Sequence, residues 1–289
     1  MPILSIIIPT HKRAETLARC LEHIEQQTAA NELEVIVVSD GHDAKTAELF
    51  ANRSWHVPLK FLEIEKSQQG VARNRGVKEA NGKYVLFIGD DIFLAPDACA
   101  DHLSAHRRLI ANRLSLTAVL GFVTWDPALE ITPVMKWLET SGWQFGYPKI
   151  QKYAQRFLPE GMQANFTYTS NISLPTEITK AHLFREDVSL YGWEDIEWGM
   201  RLRDAGVHLF YEPDACALHH HTLSLEQSLQ RMRTLGQSLV NIATIIPEFR
   251  KKLSGWRLFK TILLALLPTT SGAHRGAFLQ GIREETKNR

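Results

Sequence analysis

Three cysteines stand in the chain, Cys20, Cys99 and Cys216, far apart and odd in number. That excludes a disulfide framework and fits a reducing compartment. No sign of charge dominates: 33 basic residues face 32 acidic ones, a net of +1. Binding to nucleic acid through a global field is excluded on that balance. Long apolar runs are also missing. The run at the start, Ile3 to Ile8, has no basic residue before it and is too short for the core of a signal peptide. The run TILLALLP at 261–268 falls far short of the ~20 residues that cross a bilayer. The expectation is a cytoplasmic protein that can touch a membrane without crossing it. No internal repeat or low-complexity linker interrupts the 289 residues, which predicts one domain with a C-terminal elaboration.

What the chain does have is alternation. LSIIIP (4–9) is a continuous β-branched run, as for a strand covered on both faces. A helical pattern follows at 15–27, then a second buried strand, LEVIVVSD, at 33–40. The order continues with a helix at 43–53, a strand at 59–65, a helix at 70–82 stopped by Asn81-Gly82, and an apolar strand at 83–91. A helix at 95–113 and a strand at 116–125 complete it. Such alternation implies βαβ units and a parallel sheet, whose ligands bind beyond the carboxyl ends of the strands. Residues 126–170, rich in aromatics, Pro and Gly, predict irregular, ligand-shaping structure, and 225–250 and 256–267 read as helices.

The strand ends are therefore the places to search: Pro9-Thr10-His11, Ser39-Asp40-Gly41 and Gly89-Asp90-Asp91. Adjacent Asp90 and Asp91 repel, and a hard divalent cation shared with a diphosphate would relieve them. Gly-Asp-Asp is equally a good turn. Asp40 can accept hydrogen bonds from a base or ribose, or simply form an Asp-Gly turn. Arg73 and Arg75 suit phosphate or a base edge, or a solvated helix face. CALHHHT brings His219, His220 and His221, but no second Cys/His cluster exists to complete a structural zinc site. In YGWEDIEWGM, acidic residues favour a helix start and tryptophans favour core.

Taken in order, SIIIPTHKRAETLARCLEHIEQQ, EVIVVSDGHD, GVARNRGVKEANGKYVLFIGDDI, TSNISLPTE and YGWEDIEWGMRLRDAGVHLFYEPDACALHHH resemble the family 2 glycosyltransferases. These are inverting, nucleotide-sugar-dependent enzymes with the GT-A fold. The resemblance covers about residues 3 to 222. It implies an α/β, Rossmann-like, mixed but mostly parallel sheet flanked by helices. The GT-A domain is expected at 1–225, with a nucleotide-binding half at 1–125 and an acceptor-binding half at 126–225. A helical extension at 226–289 is expected to pack on it.

The resemblance also implies roles. Pro9, Thr10, His11 and Arg13 would border the nucleotide, Asp40 would meet the base, and Arg73 the base and diphosphate. The family's acidic motif has its carboxylates two apart, whereas here they are adjacent. Asp91 is taken as ligand to Mn2+ or Mg2+, with Asp90 toward the ribose. His219 is taken as the second ligand, with His221 as the alternative. Ser170, Asn171 and Trp193 would line the donor and acceptor pocket. Asp195 would be the general base with Glu194 as hydroxyl partner, leaving Glu197 and Trp198 as ordinary helix. The donor would be a nucleotide-diphosphate sugar, UDP-linked by family habit, and the acceptor a glycan or lipid-linked hydroxyl. A sugar nucleotidyltransferase is the competing enzyme, but IPTHKRAET lacks the glycine-rich phosphate loop. A non-catalytic binding module of the same fold is the third reading, opposed by the presence of Asp91 and Asp195. Residues 256–268 can lie on a membrane surface or serve as a packing helix over the sheet.

Overall fold

A computed structural model describes residues 1–114, 116–187 and 191–288. The first part alternates as the pattern predicts: β1 (Leu4–Thr10), α1 (Ala14–Glu25), β2 (Leu33–Asp40), α2 (Ala44–Asn52), β3 (Leu59–Ile64), α3 (Gln69–Glu79) and β4 (Tyr84–Phe87). Then come β5 (Ile92–Leu94), α4 (Ala98–Ala111), β6 (Thr117–Trp125), α5 (Pro133–Ser141), β7 (Arg156–Phe157), α6 (Glu160–Gln163), β8 (Ile172–Pro175), α7 (Thr176–Ala181), α8 (Glu194–Asp204) and β9 (His208–His219). Helices α9 (Leu225–Ile245), α10 (Pro247–Arg250), α11 (Gly255–Ala265) and α12 (Thr270–Lys287) close the chain.

The strands form one sheet in the order β3-β2-β1-β4-β8-β6-β9-β5, with β7 paired to β9. The strands β3-β2-β1-β4 run parallel, β8 lies antiparallel between β4 and β6, and β6 runs parallel to β9. Every residue of β1 is buried, which is what a run without polar alternation requires. The stretch at 83–91 is not one strand: the ladder stops at Phe87 and resumes at Ile92, where the chain leaves β1 to pair with β9. The two aspartates fall in that gap, at the carboxyl end of β4.

The chain divides into two compact units. One contains Met1–Leu129, Leu138–Glu186 and Asp195–His221; the other contains Glu130–Trp137, Asp187–Glu194 and Thr222–Arg289. The first unit holds the sheet and a single large core, in which Trp198 is fully buried against Phe87 and Phe184.

The second unit is helical. Ser224 and Gln227 form a capping box at the start of α9. Helices α9 and α12 meet where only glycine fits. A Cβ on Gly236 would come within 2.1 Å of the Phe278 carbonyl oxygen, and one on Gly281 within 1.9 Å of that of Arg233. No residue of α11 is buried.

Candidate active site

Register builds the site. In the parallel pair β1–β4, Ile7 stands opposite Phe87. Thr10 and Asp90 follow at equal distance along each chain, so they arrive level, and the Thr10 hydroxyl donates to Asp90 Oδ2 at 2.8 Å. Lys12 then takes a left-handed turn (φ 53°) that delivers Arg13 to the start of α1. Its guanidinium bridges both carboxylates, Nη1 to Asp90 Oδ1 at 2.9 Å and Nη2 to Asp91 Oδ2 at 2.9 Å. Gly89 admits this arrangement, since a Cβ there would lie 2.8 Å from Asp91 Oδ1.

The antiparallel pair β5–β9 sets His219 opposite Ile92. Its Nε2 lies 3.4 Å from Asp91 Oδ2. The His219 ring stacks on Trp125, meets the edge of Phe145, and carries His221 stacked on it at 5.6 Å. His219 Nδ1 is buried with no hydrogen-bond partner. His220, one residue on, turns to the opposite face. It lies 2.6 Å from Asp126 and 2.8 Å from Arg19, and its backbone N–H donates to the Asp91 carbonyl.

The two aspartates are electrostatically unequal. Burial pushes the Asp90 carboxyl up to about 6, opposed by Arg13 and Thr10 and aided by the Asp91 charge. Burial acts on Asp91 too, but the bond and charge of His219, and then Arg13, outweigh it and hold the group well below the usual carboxylate range. Asp91 is thus the more strongly ionised member. Among the described residues no group of three or more His, Cys, Asp or Glu side chains gathers to hold a metal. Asp91 and His219 bring one carboxylate oxygen and one imidazole nitrogen together, a pair that would fit a cation whose remaining positions belonged to a diphosphate and water. A carboxylate with an imidazole suits Mn2+ better than the all-oxygen preference of Mg2+.

Asp40 ends β2 and is nearly buried. One oxygen accepts from the Ser67 N–H at 2.6 Å and the other pairs with Lys66, while His11 Nδ1 lies 2.7 Å from its carbonyl oxygen. Arg73 is buried in α3, with its guanidinium over Phe184 and one bond to Gln69; its Nε and Nη1 have no hydrogen-bond partner. Two buried donors without partners are a cost that a bound acceptor would remove.

Asp195 sits in the first turn of α8, held by Thr169 through its N–H (3.1 Å) and hydroxyl (2.8 Å). The neighbouring Tyr168 phenol is pushed up to about 12, mainly by burial and then by the Asp195 charge. Tyr168 meets the edge of Phe145, whose own edge meets His219. Phe145 therefore stands between the Asp195 corner and the Asp91–His219 pair, in a left-handed conformation (φ 50°) rare for a bulky residue. Ser170 Oγ is buried and without a partner.

Two other expected pocket residues have their polar groups engaged. Asn171 is fully buried in the core: its amide donates to the carbonyls of Ala215 and Phe122 and its oxygen meets His102. It ties β8 to β6 and β9. The Trp193 N–H donates to the Leu235 carbonyl, and its ring meets Phe249 beneath Lys252, so its polar edge is spent within the helical unit. Glu194 opens α8, and Glu197 forms a two-bonded pair with Arg201. Sequence reasoning missed Lys66, Arg19 and Asp126, although Asp126 and Lys66 follow strands β6 and β3 and the strand-end rule would have found them. It also missed Thr169, Tyr168 and Phe145, which carry no such signal.

Known proteins sharpen the picture. The profile of Glycosyl transferase family 2 matches residues 5–114, the stretch that holds Thr10, Arg13, Asp40, Arg73, Asp90 and Asp91. Residues 5–114 are thus similar to the family 2 glycosyltransferases. Validoxylamine A glucosyltransferase of Streptomyces hygroscopicus subsp. jinggangensis is 27% identical over 222 residues, 72% of this chain and 53% of that protein. The uncharacterized glycosyltransferase YfnE of Bacillus subtilis is 26% identical over 265 residues, 79% of this chain and 67% of its own length. The chain thus spans between half and two thirds of these relatives. Among solved structures, the mannosyltransferase PcManGT from Pyrobaculum calidifontis, in complex with GDP-Man and Mn2+, superposes with a TM-score of 0.66 at 15% identity, covering 100% of this chain and 88% of that one. Residues 1–349 of S. aureus TarS, in complex with UDP, give 0.58 at 16% identity, covering 99% and 92%. The chain therefore has the GT-A fold, and Asp195 and His219 lie beyond the residues that the family model matches.

Proposed function

We propose that the chain transfers a sugar from a nucleotide-diphosphate sugar to a hydroxyl acceptor with inversion at the anomeric carbon. The observation that carries this reading is Asp91, kept ionised between Arg13 and His219 at the carboxyl ends of the central strands. Arg13 and Arg73 supply cationic donors for a diphosphate, and the unpartnered nitrogens of Arg73 give it two bonds to spend. Asp40 takes the base edge: Ser67 holds one oxygen, and the largely exposed Lys66 swings to release the other. The solved structures of the same fold in complex with GDP-Man and with UDP differ in base, and titration with each nucleotide identifies the donor base of this chain. Asp91 and His219 would hold Mn2+, which when bound supplies positive charge to the departing diphosphate.

The rest of the chemistry belongs to the chain. An acceptor hydroxyl is a weak nucleophile until a carboxylate takes its proton, and Asp195 is the carboxylate assigned that task. Its two bonds from Thr169 fix its orientation and leave it further lone pairs for the acceptor proton. The aromatic wall of Phe145, Tyr168 and Trp125 offers an apolar face to a sugar ring and keeps water from it.

Asp195→Asn tests the assignment. It keeps the shape and the acceptor oxygen but loses the basicity. Turnover, read as nucleoside diphosphate release with Mn2+, falls about a thousandfold, while binding of UDP or GDP followed by calorimetry is unchanged. Turnover at the wild-type rate would remove Asp195 from the mechanism. Failure of both nucleotides to raise the melting temperature in the presence of Mn2+ would remove the donor reading itself.

A further inference from the structure

Helix α11 turns its apolar side outward. Its partly covered residues, Leu258, Thr261, Leu264 and Ala265, recur at helical spacing and form the face toward its own unit. The opposite stripe is Trp256, Phe259, Leu263 and Leu266, at offsets of three, seven and ten residues. Trp256 is 73% exposed and Leu266 77% exposed, with Phe259, Ile262, Leu263 and Leu267 exposed around them. Trp256 and Phe259 stack on each other at 5.2 Å, a preformed aromatic pair in open solvent. Contiguous large apolar groups left in water mark a surface that something covers.

Charge selects what covers it. No acidic residue occurs between Glu248 and Glu284. That stretch holds seven basic ones, Arg250, Lys251, Lys252, Arg257, Lys260, Arg275 and Arg283, in a chain whose net charge is only +1. Arg257 and Lys260 lie on α11 itself and are exposed beside the stripe, and Arg250 and Lys251 are exposed just before it. A second copy of the chain would bring the same cations face to face around the stripe, and the repulsion would oppose a symmetric contact. An anionic lipid surface meets both halves of the pattern. Acyl chains accept the stripe, headgroups accept the cations, and Trp256 sits at the boundary. Among the described residues no helix is long and apolar enough to cross a membrane, so the geometry is that of a helix lying in the interface plane.

We propose that α11 is a membrane-docking helix that binds the chain to anionic lipid. The proposal stands apart from the catalytic reading and tests separately. The full chain is floated with vesicles of phosphatidylcholine alone and of phosphatidylcholine with about a third phosphatidylglycerol. It should float with the anionic vesicles, at least about tenfold less with the neutral ones, and progressively less as salt rises. The double variant Trp256→Ala with Phe259→Ala should lose about tenfold of the bound fraction while its melting temperature stays that of the parent, because neither residue is buried. Protein that stays in the soluble fraction with anionic vesicles at low salt would overturn the proposal. So would binding that the double variant leaves intact, or a dimer in light scattering that the double variant dissolves.

Discussion

In the sheet unit, carboxylates are withdrawn from water; in the helical unit, tryptophan and leucine are left in it. Asp90 and Asp91 are buried or nearly so, and each is answered by a neighbour: Thr10, Arg13, His219. Trp256, stacked on Phe259, and Leu266 stay largely exposed. Both arrangements cost free energy in the isolated chain, because a buried charge and an exposed apolar surface are each on the wrong side of the transfer balance. Each cost is one that the proposed ligands would remove: an anion with a cation at the first site, a lipid surface at the second. The physical difference lies in specificity. The first site is built from directional bonds and would select one chemistry, whereas the second is a stripe and a field and would take a class of surfaces.

One residue type tests the contrast most directly. Trp198→Ala removes a side chain that is fully buried against Phe87 and Phe184, and unfolding by urea should show a loss of about 4 kcal/mol. Trp256→Ala in the same assay should change stability by less than about 0.5 kcal/mol. Similar losses at both positions would mean that α11 is covered after all.

Next in size is the acid response of the sheet unit. His102 and His106 are buried, and burial lowers them to about 4 and about 3. Only one set of tautomers satisfies their bonds. His106 Nε2–H donates to Ser173 Oγ, whose hydroxyl donates to His102 Nδ1, and His102 Nε2–H donates to Asn171. Both folded values lie below that of a free histidine, so the unfolded chain takes up protons first. Stability is therefore full above a pH of about 6.5 and declines as pH falls toward 4, by on the order of 3 kcal/mol for His102 alone. Urea titrations at pH 7.5, 6 and 5 check this, and His106→Gln should shallow the slope. A flat profile would mean that the network tolerates charge.

Smaller again is Arg13→Met, which strips the shared cation from Asp90 and Asp91. Allowing for the partial exposure of the guanidinium, the loss is about 2 kcal/mol. Mn2+ should recover much of it in the variant and less in the parent, read as melting temperature with and without the ion. Equal shifts in both would show that Arg13 and the ion do not answer the same charge.

The strands were legible because hydrophobic runs with β-branched residues have one packing solution between two helical layers, and β1 and β2 lie where LSIIIP and LEVIVVSD predict them. The strand-end aspartates were legible for the same reason, since parallel strands end on one side. Less legible was the break between β4 and β5, where apolar residues continue but the ladder changes partner. Asn171 was read as a pocket residue because TSNIS resembles the family's pocket-lining segment, yet its amide is bonded to carbonyls 44 and 49 residues away.

By itself the sequence determined the alternation, the sheet's leading half, and the residue types at its carboxyl edge: Thr10, Arg13, Asp40, Asp90 and Asp91. Those follow from local periodicity, which needs no distant partner. Tertiary structure decided the rest. In the HHH run, strand alternation and pairing with Ile92 point His219 at Asp91 and His220 at Asp126. Thr169 came to Asp195 through a fold of irregular chain. And the amphipathic pattern of α11 is identical for a helix that packs and one that waits for a membrane. Periodicity names an apolar face, and only the packed chain says which way that face looks.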